Sequence, residues 1–319
     1  MRAISRREFL KAAGAASLAS TFGPAAFGAA AAFKVGVISD EISDDFDHAC
    51  SVIANDFGLH WVELRGMWGK NLQQSSDTEL AKAEDIIRKY GLQVTDIASP
   101  LFKVNWQGAP VSRYGSAGDM HGATDVEYNK QDEVLERSIA LAKRFKTNKV
   151  RCFDFWRLDD VKPYRAAINE RLGQAAEVAA KQQVLLVLEN EFECNTATGR
   201  EAGATLTGIS NRNLALNWDP GNAVMRGELD AFPSGWNAIP KERLHHCHVK
   251  NAVKDKTDTI VWAPVDVGYV DWAAQFRALK SIGYSEGVSL ETHWRGGGSP
   301  EASTRASWEG MKRRLQEAR

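Results

Sequence analysis

Eight short apolar runs, each followed by a stretch long enough to cross back over a sheet, constrain this chain more than any other feature. They read FKVGVIS (33–39), HWVEL (60–64), LQVTDIA (92–98), KVRCF (149–153), VLLVL (184–188), LALNW (214–218), LHHCHV (244–249) and GVSL (287–290). Helical spacing is predicted near 46–57, 78–90, 133–145, 166–182, 198–209, 272–282 and 300–317, with Val134, Leu135, Ile139 and Leu141 marking one apolar face. A long polar loop is expected over 99–128, and a short irregular sixth crossover near 232–239. Continuous apolar strands alternating with crossover helices specify a parallel sheet covered on both faces. Eight such units predict an α/β fold, a single-domain (β/α)8 TIM barrel over residues 33–319, since that fold takes about 250 residues. A doubly wound open sheet is the rival. It lacks support because no glycine-rich phosphate loop follows the first strand and polar residues recur at too many strand ends.

The N-terminal segment stands apart. SRREFLK (5–11) precedes a weakly apolar, Ala-rich stretch with small residues near 28–31, and it resembles a twin-arginine export signal. The stretch is too short and too poor in Leu and Ile to span a bilayer. Residues 1–31 are therefore expected to be a cleaved signal, with the twin-arginine export machinery as a partner and the periplasm as destination. No membrane span is expected in the mature protein.

Removing that segment takes four of the 40 Lys/Arg and one of the 41 Asp/Glu, leaving a net charge of −4. Such a balance offers no electrostatic case for nucleic acid. Cys50, Cys152, Cys194 and Cys247 lack the close pairing of a zinc finger or redox motif. Twin-arginine cargo is exported folded, as the resemblance implies, so disulfides need not form the scaffold.

In a barrel the C-terminal strand ends converge on one mouth, where chemistry is done. VLLVLENE places Glu189 after the fifth strand, LNWDPGN places Asp219 after the sixth, LHHCHVKN places His248 on the seventh, and VSLETHW places Glu291 after the eighth. The first three are 30 and 29 residues apart, one β/α unit each. A lone aspartate before Pro-Gly is more often a helix cap or a turn residue. Four polar residues on four successive strands are harder to obtain by accident. Three carboxylates and one imidazole suit one divalent cation of the Mn, Co, Mg or Zn group. Without a cation the carboxylates would repel, and one would tend to hold a proton. Pro220 and Gly221 are expected to fix the turn that presents Asp219.

These motifs resemble those of the xylose-isomerase-like barrel superfamily, the sugar isomerase/epimerase relatives of AP endonuclease. The resemblance spans essentially residues 33–319, and APVDVGYVDW (263–272) is similar to the family's glycine-containing loop. It implies that the metal holds the substrate's carbonyl and hydroxyl oxygens while two metal-bound glutamates, here Glu189 and Glu291, move the proton through an enediolate. Two departures bear on specificity. The endonuclease branch binds three metals through further histidines, and Asn222 stands where one of them would be. The epimerase branch carries a substrate-contacting glutamate six residues beyond its first ligand, and here that position is Asn195.

For the rest of the mouth, Glu63, Arg65, Lys103, Arg151, Trp156, Arg157, Lys250, His293 and Trp294 are the polar and aromatic candidates. Glu63, Trp156, Arg157, Lys250 and His293 are singled out as substrate-binding, because rings stack on sugar faces while charged groups bond hydroxyls. Lys250 shares a face with His248, two residues away. His246 shares that face too, deeper, and is expected to be a hydrogen-bonded core histidine.

The expected function is a metal-dependent isomerase or epimerase of a small sugar or sugar derivative. Two alternatives stay open: a lyase or hydrolase that eliminates a group from a keto-sugar glycoside, and a periplasmic sugar-binding protein that lost the chemistry. A small-molecule sugar is the expected ligand, and self-association into a homo-oligomer is left open.

Overall fold

The computed structural model describes residues 32–110, 112–113 and 127–319. The expected export signal in residues 1–31 and much of the expected 99–128 loop lie outside the described residues.

Eight strands form a closed barrel: β1 (Lys34–Ile38), β2 (Trp61–Leu64), β3 (Gln93–Leu101), β4 (Lys149–Cys152), β5 (Leu185–Glu189), β6 (Leu214–Trp218), β7 (Leu244–Val249) and β8 (Gly287–Leu290). All neighbours run parallel, and β1 pairs with both β2 and β8, so the sheet has no free edge. The strands are apolar nearly throughout because helices cover the outside while side chains fill the inside. The expected (β/α)8 barrel is the observed fold.

The crossover helices are α1 (Phe46–Ser51), α2 (Asp77–Lys89), α3 (Gln131–Arg144), α4 (Arg165–Lys181), α5 (Gly199–Thr207), α6 (Pro220–Met225), α7 (Trp272–Ser281) and α8 (Pro300–Glu317). Their starts are written locally. Ser76 with Glu79, and Thr198 with Glu201, form reciprocal capping boxes at α2 and α5. Asp45, Asp271 and Ser299 cap α1, α7 and α8. α3 turns Val134, Leu135, Ile139 and Leu141 into the core, the face its spacing predicts.

Several elements differ from the sequence expectation. β3 runs three residues beyond LQVTDIA, as far as Leu101, and its register against β4 shifts between Ile97 and Leu101. The first helix continues past Ser51 as a wider π-helical turn, Val52–Asp56. The sixth crossover begins with α6 where only a turn was expected, and then passes through a further single turn, Trp236–Ala238. A two-stranded antiparallel ribbon (Asn251–Lys254 with Ile260–Ala263) rises from β7, with no counterpart in the expected pattern. All four cysteines are buried and free. Among the described residues, no helix is long and apolar enough to cross a membrane.

A cavity of about 600 Å³ opens near Lys34, Trp61 and Lys149, at the strand starts opposite the mouth. Of the cations that line it, Lys34 and Lys149 both pair with Glu286, and Arg144 pairs with Asp77 and Glu84.

Candidate metal centre

Glu189 ends β5, Asp219 immediately follows β6, His248 is the fifth residue of β7, and Glu291 immediately follows β8. Each strand therefore delivers one donor at nearly the same height. One ligand atom from each of the four lies within 4.8 Å of the others, and all four residues are buried. His248 Nδ1 is 3.2 Å from Glu189 Oε1, 3.1 Å from Glu291 Oε2 and 3.7 Å from Asp219 Oδ2.

Asp219 answers the question its sequence poses in both ways at once. Its Oδ1 accepts the backbone N–H of Asn222 at 2.9 Å and caps α6, with Pro220 at the first helical position. Its Oδ2 faces the mouth, 2.8 Å from Lys250 Nζ. Gly221 is required by close approach, since a Cβ there would stand 2.6 Å from Lys250 Cγ.

Cations hold the carboxylates from several sides. Lys250 Nζ also lies 2.5 Å from Glu291 Oε2, and Arg65 Nη1 donates to Glu291 Oε1 at 2.8 Å. Arg151 Nη1 donates to Glu189 Oε2 at 3.1 Å, and Asn222 Nδ2 donates to Glu189 Oε1 at 3.0 Å. Asn222 thus holds Glu189 in place by a hydrogen bond. Burial alone would raise Glu189, but His248 and Arg151 hold it at about 2. Glu291 is likewise held well below the usual carboxylate range, its burial outweighed by Lys250, His248 and His293. Asp219 goes the other way: burial pushes it up to about 7 against the pull of Lys250, with Glu189 and Glu291 adding repulsion. One carboxyl of three therefore tends to hold a proton, as expected of such a cluster without a cation.

The donor set fits a hard or borderline divalent cation. Three carboxylates and an imidazole are the ligand types such ions take, and here they are buried and convergent rather than scattered on a surface.

The structure distributes the other candidates unevenly. Lys250 and His293 join the centre, His293 Nε2 standing 3.3 Å from Glu291 Oε1. Glu63 joins from beneath, its two oxygens 3.0 Å from His248 Nε2 and 2.9 Å from His246 Nε2. His246 is the hydrogen-bonded core histidine expected of it. Arg157 does not reach the carboxylates: it pairs with Glu201 at 2.6 Å and donates to the Cys194 carbonyl. Trp156 is buried beside it, bridged to Cys194, with Lys103 Nζ 5.2 Å from the ring. Asn195 serves the backbone, donating to the Asp154, Phe155 and Trp156 carbonyls and accepting the Leu158 N–H.

Two participants escaped the sequence reading. Glu41, just past β1, accepts from Arg65 at 2.6 Å and from Arg295 at 2.8 Å. Trp262, on the ribbon after β7, packs edge-on to His293 at 4.9 Å and lies 5.2 Å from Lys250 Nζ. The strand-end rule could have found Glu41, whereas Trp262 sits on an element the pattern does not signal.

Comparison with known proteins agrees with this architecture. Residues 52–314 match the family described as xylose isomerase-like TIM barrel. Among solved structures, the probable 3-DHS dehydratase AsbF from Bacillus anthracis is 20% identical, with 88% of this chain and 98% of that chain covered and a TM-score of 0.63. D-allulose 3-epimerase from Methylomonas sp. is 17% identical, with 89% and 98% covered and a TM-score of 0.64. A xylose isomerase-like TIM barrel protein from Mycobacterium smegmatis, in complex with magnesium, is 15% identical, with 93% and 100% covered and a TM-score of 0.61. Among curated proteins, none matches this sequence. A barrel of this topology, matched by the family over most of its length, belongs to the xylose isomerase-like TIM barrel family.

Proposed function

We propose that the protein is a divalent-metal-dependent enzyme that moves a proton on the carbon beside a carbonyl of a small sugar or sugar derivative, as an isomerase or epimerase. The observation that carries this reading is the buried convergence of Glu189, Asp219, His248 and Glu291. The ketose epimerase among the similar structures supports it by its name. These four residues would hold a divalent cation, which when bound would polarise a carbonyl and acidify the neighbouring C–H.

Glu189 and Glu291 reach the centre from β5 and β8, with two strands between them. One carboxylate can take a proton from one face of a substrate and the other can return it. Without a cation both are ionised, Glu189 held by His248 and Arg151, and Glu291 by Lys250 and then His248. They are weak bases for the same reason, and the acidity of the C–H must make up the difference. Lys250 and His293 are placed to bond substrate hydroxyls, and Trp262 to face a sugar ring.

Lys250 also favours a second reading, elimination from a keto-sugar glycoside. Its ammonium is 2.5 Å from Glu291 Oε2 and 2.8 Å from Asp219 Oδ2. A glutamate removes the proton beside the ketone, the C–O bond one carbon further breaks, and the departing oxygen takes a proton from Lys250. Asn195 turned into the backbone, where an epimerase has a substrate-contacting glutamate, agrees with this reading.

Incubation of metal-loaded protein with ketoses and 3-keto-glycosides in deuterated water tests both. Solvent deuterium beside the carbonyl of an epimer or isomer supports the first, and an unsaturated keto-sugar supports the second. Absence of wash-in and product across the panel contradicts both and leaves a sugar-binding protein. We further propose that residues 1–31 direct export to the periplasm. Replacing Arg6 and Arg7 by Lys should trap the precursor in the cytoplasm, and normal periplasmic accumulation would contradict that.

A further inference from the structure

Below the four donors the barrel interior is not apolar. Glu63 on β2 and His246 on β7 are both fully buried, and Asp96 on β3 lies beside them with Oδ1 3.7 Å from His246 Nε2. Room has been made for this layer: a Cβ on Gly287 of β8 would stand 2.6 Å from His246 Nδ1 and Cε1.

Glu63 divides its oxygens between the two histidines, Oε1 to His248 Nε2 at 3.0 Å and Oε2 to His246 Nε2 at 2.9 Å. An ionised carboxylate can only accept, so both Nε2 atoms carry the hydrogen. For His248 that leaves Nδ1, the nitrogen facing Glu189, Asp219 and Glu291, as the one that would give up its proton and offer a lone pair when a cation enters among those carboxylates. Asn217 is consistent with this once its amide is oriented. Its nitrogen stands 3.1 Å from the same Nε2, while its Oδ1 has no hydrogen-bond partner among the described residues. Amide oxygen and nitrogen exchange by a flip, which turns the acceptor toward the Nε2–H.

We propose that Glu63 is a positioning residue: by accepting from His248 Nε2–H, and being itself anchored by His246, it fixes the ring and tautomer of His248 so that Nδ1 is presented to the metal centre. Glu63 therefore contacts the candidate ligand His248 rather than the substrate, although it lies two residues before Arg65, which reaches Glu291. The inference rests on the metal reading above and adds a residue to it. Outer partners of this kind set metal affinity, and their loss costs about 10–100-fold.

The test uses zinc, which is diamagnetic. Zinc affinity is measured by calorimetry for the full chain and for Glu63→Gln and Glu63→Ala, with circular dichroism as the folding control. Long-range ¹H–¹⁵N spectra of the zinc-loaded wild type report the His248 tautomer directly and need no variant to fold. The expected results are an Nε2–H tautomer with zinc on Nδ1, and affinity reduced about 10–100-fold in Glu63→Ala and less in Glu63→Gln, which keeps one acceptor. Zinc on Nε2 of His248, or wild-type affinity in a folded Glu63→Ala, would overturn the role of Glu63 alone. A wild type that binds no zinc would instead remove the metal reading, and this inference with it.

Discussion

The two halves of the barrel treat the same mouth differently. β5 to β8 end in the candidate donors Glu189, Asp219, His248 and Glu291, whereas the first half contributes Glu63, Arg65 and Arg151, which bond those residues, and Glu41, which bonds Arg65. Arg65 and Arg151 each reach across to a carboxylate of the other half. On the proposed reading the second half carries the chemistry, and Arg65 and Arg151 of the first half join Lys250 and Asn222 in holding its buried carboxylates. Removing a donor should cost function, and removing a supporting charge should cost stability.

The largest effect separating the halves is expected at Glu291. Glu291→Gln keeps an oxygen ligand but cannot accept a proton from carbon, so turnover at saturating metal should fall by about 10²–10⁴-fold. The amide keeps one of the two acceptors that Arg65 and Lys250 use, Oε1 and Oε2, so circular dichroism serves as the folding control. Near-wild-type deuterium wash-in would take Glu291 out of the chemistry and blur the division.

Arg151→Met probes the other half. It leaves Glu189 buried without its guanidinium partner, a change that costs about 3–5 kcal/mol when one member of a buried pair is removed. Denaturant unfolding should show that loss in the metal-free protein and a smaller one with zinc bound, because the cation replaces the missing positive charge. Equal losses in the two states would mean that Arg151 acts through its bonds to the Ser99 and Ala98 carbonyls instead.

Asp96 gives the smallest and most pH-dependent effect. Burial and the charge of Glu63 push it up to about 6. Its folded value exceeds the ordinary 3.8, so folding favours the protonated form; that contribution is intact below about pH 4 and is lost as pH rises through about 6. Asp96→Asn should therefore become more stable than wild type above pH 6, by about 1–3 kcal/mol. A difference that stays flat from pH 4 to 8 would show that Asp96 bears no such burden.

The same asymmetry decided what could be read from the amino-acid sequence. Strand alternation made the barrel legible, and the one-unit spacing of Glu189, Asp219 and His248 made the donor set legible, because both depend on local period. Capping of α6 by Asp219 was legible only as an alternative, since one side chain does both jobs with different oxygens. The supporting half was harder. Arg65 and Arg151 could be named as mouth residues, but their partners, Glu189 on the strand beside Arg151 and Glu291 one strand further from Arg65, are set by side-chain reach that no spacing encodes. Glu63 looked like a substrate contact because it lies near the C-terminal end of a strand, and only the positions of His246 and His248 show which way it turns. Arg157 failed to reach the site because the loop after β4 folds toward Glu201, where the α5 capping box already gathers acceptors.

The central claim, that four residues of the second half hold one catalytic cation, is tested most directly by elemental analysis. Purified protein, Asp219→Ala and His248→Ala would be dialysed against a low concentration of manganese or zinc and measured for metal per chain. The account predicts about one divalent ion per chain in the wild type, as expected of one such donor set, and almost none in either variant. Unchanged metal content in both folded variants would contradict it.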